Sequence, residues 1–160
     1  MATHPTTFVS LGSRPSRGSV FAAVALALAI AGSGIAAYLA SQNLQGETGV
    51  CTITHGCSVV QKSAYGRLFG VPVSVPGLGL YIALAVAAGI RLSGTRGRGQ
   101  DATYLAFLGS FGGLIFSAYL TWVEAFVLDA WCIYCIASAL IMAALFATWT
   151  ALAVLDNRRP

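Results

Sequence analysis

The residues of this chain best suited to chemistry are its four cysteines, which fall into two close pairs, Cys51 with Cys57 and Cys132 with Cys135. Cys132-Ile133-Tyr134-Cys135 stands where a long apolar run begins, and on a helix residues three apart share one face. Two sulfurs so placed are near enough to bridge. A helix N-terminus carries partial positive charge, which favours the thiolate, and the thiolate is the nucleophile of disulfide exchange. Asp129 is placed to cap that helix. The other pair lies in a segment flanked by Gly46, Gly49 and Gly56, where the backbone is free to move. Such a pair is suited to exchange with an outside protein and then to reach the second pair. Three plainer readings compete: two static disulfides, a zinc site, or buried inert thiols. A C-x-x-C closes too small a loop to be a useful staple. The C-x5-C spacing is unusual for zinc, so no metal is expected. Two close pairs argue against inert thiols.

The elements that must position these thiols follow from composition. Hydrophobic residues make up 57% of the 160 and charged residues 9%, and the mean hydropathy is +0.77. Soluble domains carry about 25% charged residues, so this chain lacks the charge for a water-facing surface and suits a lipid-facing one. Four apolar runs are predicted to span a membrane as helices, at about 20–40, 69–90, 103–123 and 131–155. Each is long enough to cross ~30 Å of hydrocarbon, and only helices satisfy their own backbone there. The first run is longer than a signal-peptide core. Pro72 and Pro76 fall near the start of the second, where proline is tolerated. Gly109 and Gly113, with Gly112, give the third a small-xxx-small face for close helix approach. Tyr38, Trp122, Trp131 and Tyr134 read as an interfacial aromatic belt. Residues 1–18 are expected to be a disordered cytoplasmic segment, 19–155 the membrane domain and 156–160 a cytoplasmic tail.

The basic residues orient the spans. Arg14, Arg17, Arg91, Arg96, Arg98, Arg158 and Arg159 fall on one side of a four-span chain, and only Lys62 and Arg67 on the other. Cationic loops stay cytoplasmic, so both termini are expected in the cytoplasm of a cell (plasma or inner) membrane. All four cysteines then face the extracytoplasmic side, where disulfides persist. The scattered cations form no aromatic-interleaved patch, so no nucleic-acid partner is expected.

With these residues in view, the chain resembles the vitamin K epoxide reductase family in its bacterial form. The resemblance covers roughly Ala37–Leu145. It rests on Cys51…Cys57, the following Ser63, the stretch Leu68-Phe69-Gly70-Val71-Pro72-Val73-Ser74, and Trp131-Cys132-Ile133-Tyr134-Cys135. It implies an all-α four-transmembrane-helix bundle around a quinone (menaquinone or ubiquinone), with an outer half-helix over the pocket at Ser58–Leu68. It implies that Cys51 and Cys57 relay electrons from a separate DsbA-like or thioredoxin-like protein on the outer side. Cys132 would exchange with the loop pair and Cys135 would lie closest to the quinone. Ser63, Ser74 and Tyr81 join Cys135 as candidate quinone contacts, with Tyr65 as a further pocket candidate. Vertebrate members carry Asn where this chain has Val73 and Tyr where it has Ala139, which favours simple quinone reduction over epoxide reduction. DsbB-type oxidases place their C-x-x-C in the first outer loop; the order here is the reverse.

The remaining polar residues read more plainly. His55 is expected to be a solvated loop residue, and Lys62 and Arg67 head-group or partner contacts. Glu124 reads first as a helix-end charge at the interface and Asp129 as a cap, with a proton relay to a reduced quinone as the alternative for either. The rival to a redox enzyme is a non-enzymatic membrane scaffold held by structural disulfides. Cysteines that never change oxidation state would favour it.

Overall fold

The computed structural model describes residues 16–46, 56–94 and 96–158. Among them are four long helices: α1 (Arg17–Leu44), α3 (Ser74–Leu92), α4 (Arg96–Phe126) and α5 (Ile133–Asn157), with a short helix α2 (Cys57–Lys62) between the first two. The shortest of the four has 19 residues, about 28 Å at 1.5 Å per residue, enough to cross a bilayer. Only 22–28% of each apolar window is buried within the protein. Side chains such as Leu105, Leu108 and Leu140 therefore point outward, which a lipid solvent rewards and water does not. The chain is an all-α multi-pass membrane protein.

The long helices close into a ring in which α1 packs on α3 and α5, and α4 packs on α3 and α5. The face α1 turns inward is made of small residues, Ala25, Ala29 and Ala36. Against it lie Tyr81 and Leu84 of α3 and Met142, Leu145, Trp149 and Leu152 of α5. Small residues let the backbones approach, which is how helices gain packing energy where lipid removes the hydrophobic drive. Gly113 acts as its spacing predicts: a β-carbon there would meet Met142 Sδ at 2.8 Å and Leu80 at 2.9 Å, whereas Gly112 faces open space. At the end of the bundle away from the cysteines, Arg91 of α3 forms an ion pair with Asp156 of α5.

Several boundaries differ from expectation. The second helix begins at Ser74, because the chain before it forms a hairpin, β1 (Arg67–Leu68) antiparallel to β2 (Val71–Pro72). Its turn residues Phe69 and Gly70 have φ of 51° and 85°, the positive values that a tight hairpin needs to match strand twist. The half-helix is shorter than Ser58–Leu68 because Ser63 ends it. Ser63 Oγ donates to Val60 O at 2.7 Å and accepts from Gly66 N–H at 3.2 Å, turning the chain into a 3-10 turn over Ala64–Gly66. Residues 17 and 18, expected to be disordered, are helical. The Ser16 hydroxyl accepts the Ser19 N–H at 3.2 Å and caps α1. Helix α5 runs on through residues 156 and 157 of the expected tail. Residues 1–15, and with them Arg14, lie outside the described residues, as do Cys51, His55 and Gly49.

Candidate functional site

Helix α2 and the turn joining α4 to α5 meet at one end of the bundle, and glycine makes the contact possible. A β-carbon on Gly56 would lie 2.6 Å from the backbone N and 2.6 Å from the carbonyl O of Trp131, closer than any side chain allows. With hydrogen there, the next residue, Cys57, packs with Val60, Ala130 and Cys132 in one buried cluster, against which Cys135 also lies. Cys57 and Cys132 are fully buried. Cys57 is disulfide-bonded. Cys132 and Cys135 are free thiols. The protein thus holds a disulfide beside a dithiol.

Cys132 is the N-cap of α5 in extended backbone and Cys135 sits in the first turn, so the two sulfurs share a face. The Cys132 thiol is held below its ordinary pKa. The main cause is the hydrogen bond it receives from the Cys135 thiol, against opposition from burial and from the nearby Glu124 charge. Cys132 is therefore the more acidic thiol of the pair, as its place at a helix start suggests.

The carboxylate that serves this helix start is not the one expected. Asp129 has φ 46° and is exposed; it occupies the left-handed turn position that Asp tolerates better than most residues, and it caps nothing. Glu124, expected at the interface, is instead 1% exposed. The end of α4 explains this. The N–H groups of Val127 and Leu128 both bond Val123 O at 3.0 Å, and Ala130 N–H bonds Glu124 O at 3.1 Å. The chain folds back over Glu124, whose Oε2 accepts the Cys132 backbone N–H at 3.1 Å. The Glu124 carboxylate and the two sulfurs lie within 4.8 Å of one another.

A cavity opens beside this group, with about 1010 Å³ of empty volume including its open mouth. Its walls are mostly apolar, among them Leu39, Leu80, Phe116 and Met142. Cys135 lines it and Cys132 does not. Three buried polar atoms on its wall have no hydrogen-bond partner: Gln61 Nε2, Ser74 Oγ and Glu124 Oε1. Buried polar atoms are nearly always satisfied, so these three are open to pair with a polar group that enters the cavity.

The structure sorts the residues picked from sequence. Ser74 lines the cavity with its hydroxyl free. Tyr81 lines it too, but its hydroxyl is held by Ser138, 2.9 Å from the carbonyl and 2.8 Å from Oγ. Tyr65 is on the wall. Ser63 is not; its hydroxyl is used in the local cap, so its contribution is to shape the turn. Tyr134 is drawn from the expected aromatic belt onto the cavity wall, its ring 5.4 Å from that of Tyr38. Trp122 and Trp131 stay about half exposed, as belt residues do, and Lys62 and Arg67 are exposed. Val73 lines the cavity with an apolar side chain. Gln61 and Asn43, which donates to Gln61 Oε1 at 3.2 Å, are wall residues that the sequence did not single out, and Glu124 is one that it placed at the interface. Gln61 follows the loop cysteine by four residues, one helical turn, which is the signal that could have found it.

A family model described as the vitamin K epoxide reductase family matches residues 23–150. No curated protein matches the chain.

Proposed function

The chain belongs to the vitamin K epoxide reductase family, a family of membrane thiol–disulfide oxidoreductases, and from that premise we propose that it oxidises a thioredoxin-like or DsbA-like partner and reduces a membrane quinone. The partner's dithiol attacks the loop disulfide of Cys51 and Cys57, leaving as a disulfide while the loop pair becomes a dithiol. That dithiol attacks the bridged form of Cys132 and Cys135, is itself reoxidised, and leaves the C-x-x-C reduced. The observation that carries this reading is the dithiol's position. It lies between the bonded Cys57 on one side and an apolar cavity on the other, and only Cys135 of the pair opens into that cavity. A structural staple would have no reason to stand between a second disulfide and an apolar cavity.

The cavity fits a quinone. Apolar walls suit a ring and its isoprenoid tail, while Gln61 Nε2 and Ser74 Oγ are donors without acceptors, and quinone carbonyls are acceptors without protons. When bound, menaquinone or ubiquinone would supply an acceptor for two electrons and two protons. The protein's share is position and thiol tuning. The Cys132 N–H is tied to Glu124, Cys135 faces the cavity, and the α4–α5 turn and α2 cover the pair from water. The absence of the vertebrate Asn and Tyr, at Val73 and Ala139, supports quinone rather than epoxide reduction. The seven-to-two split of basic residues supports a plasma-membrane protein with cytoplasmic termini and extracytoplasmic cysteines.

Membrane vesicles containing the wild-type protein or Cys135→Ala, supplied with a reduced thioredoxin-like protein and a soluble quinone analogue, test the reading. Quinol should form with the wild type and not with the variant. Equal turnover in the two would remove the proposal and return the chain to the scaffold reading.

A further inference from the structure

We propose that Glu124 is the proton relay of this site: its unpartnered carboxyl oxygen takes the proton that leaves Cys135 and passes it to the acceptor in the cavity. The inference rests on the thiol-to-quinone reading above and adds to it the route of the proton.

Capping alone does not account for this residue. A cap needs one oxygen to accept one N–H, and Glu124 Oε2 does that for Cys132. Oε1 is left buried, without a partner, on the cavity wall. An apolar setting makes such an atom costly, and short polar residues would cap without it. Among the described residues lining the cavity, Glu124 is the only carboxylate. The alternative acid on the α3 wall, Tyr81, has its hydroxyl committed to Ser138. The carboxylate also stands within 4.8 Å of both sulfurs, so a proton can pass between thiol and carboxyl directly or through one water.

The balance needs such a group. When the dithiol is oxidised, a bond forms between the sulfurs of Cys132 and Cys135, the S–H bond of Cys135 breaks, and two electrons leave for the ring. A quinone held in the cavity would need two protons to leave as a quinol. One is the Cys135 proton, carried across Oε1 of Glu124. The other replaces the proton that Cys132 gave to water on ionising, and it enters from water by the same carboxyl. Glu124 ends the cycle in the protonation state in which it began.

Relay and cap predict opposite orders for two variants. Glu124→Gln keeps the side chain's length and an oxygen to accept the Cys132 N–H, but cannot carry a proton. Glu124→Asp keeps the carboxyl but withdraws it. The relay predicts quinol formation falling about 100-fold in Glu124→Gln, within the range for lost general acid–base catalysis, and less in Glu124→Asp. Exchange between the partner and the Cys132–Cys135 pair, followed by thiol trapping without quinone, should change far less than quinol formation does in Glu124→Gln; an equal fall in both steps would mean that Glu124 acts on the thiols alone and not on the proton's route. A readout independent of quinone is the infrared difference spectrum on reducing the pair: a carboxyl band should change in the wild type and vanish in Glu124→Gln. If Glu124→Gln is as fast as Glu124→Asp or faster, or if no carboxyl band responds to reduction, the relay is wrong. A wild type that makes no quinol would overturn the enzymatic reading itself. The infrared signal would still decide whether Glu124 shares a proton with the thiols.

Discussion

Gly56 rests directly on the backbone of Trp131, with room for a hydrogen and nothing larger. This contact sets how closely Cys57 approaches Cys132, because Gly56 and Trp131 are each followed at once by one of these cysteines. Gly56→Ala would place a methyl group 2.6 Å from backbone atoms that cannot rotate away. Overpacking of this kind costs about 1–3 kcal/mol, and here the relief is to lift α2 off the α4–α5 turn. Turnover driven by the protein partner should fall at least tenfold. A small apolar dithiol that reduces Cys132 and Cys135 directly should still drive quinol formation near the wild-type rate. Equal rates from both donors in the variant would show that the contact does not govern exchange between the pairs.

The ionisation of Cys132 depends on its neighbour. In the reduced protein its thiol should titrate below the ordinary value of about 8.5, since the Cys135 S–H stabilises the thiolate. The sign for stability follows. A lowered folded-state value means that the thiolate's contribution is present above the unfolded value and is lost as pH falls through the folded one. The reduced protein should therefore gain stability with rising pH between the lowered Cys132 value and the ordinary thiol range, while the oxidised protein shows no such rise. Cys135→Ala removes the donor and should move the Cys132 titration upward. Ultraviolet absorbance of the thiolate follows the titration, and thermal melting in each redox state follows the stability. A downward move in Cys135→Ala would contradict the assignment.

Gln61 and Ser74 should act on binding rather than on chemistry. Each offers one neutral donor, and a neutral hydrogen bond contributes about 0.5–1.5 kcal/mol. Gln61→Leu and Ser74→Ala should each raise the quinone KM roughly 3- to 10-fold with little change in kcat. A fall in kcat at unchanged KM in both variants would mean that these side chains do not hold the ring.

The bundle and the cysteines were legible in the chain because both signals are local. An apolar run long enough to span shows in its own residues, and a C-x-x-C at the head of such a run needs no knowledge of the rest of the fold. The closest approach on α4 was readable for the same reason, from Gly109 and Gly113. Burial of polar residues was not. Glu124 at the end of an apolar helix looks like a charge seeking the interface, and only the fold-back at Asp129 turns it inward. Asp129 has the right type and spacing for a cap, but its backbone takes the left-handed turn position and points the side chain to solvent. Phe69–Val73 belongs by hydropathy to the second span. The positive φ at Phe69 and Gly70, which makes it a hairpin, depends on the register of Arg67 with Pro72. The resemblance puts Ser63 near the ring, but its hydroxyl is used in the local turn and it is not on the cavity wall.

At the far end of the bundle, the Arg91–Asp156 pair offers a test of what holds the helices together apart from the site. The side chains are 13% and 3% exposed, and Asp156 Oδ2 has no other partner. Removing one member strands the other charge in an apolar setting, which typically costs about 3–5 kcal/mol, whereas replacing both by apolar residues is often neutral. Arg91→Met should therefore lower the Tm in detergent clearly. Arg91→Met with Asp156→Leu should recover most of the loss. The ion pair ties α3 to α5 far from Cys135, so quinol formation per folded molecule should be unchanged in both. A double variant as unstable as the single one would mean that the pair supplies specific attraction rather than mutual neutralisation of two buried charges.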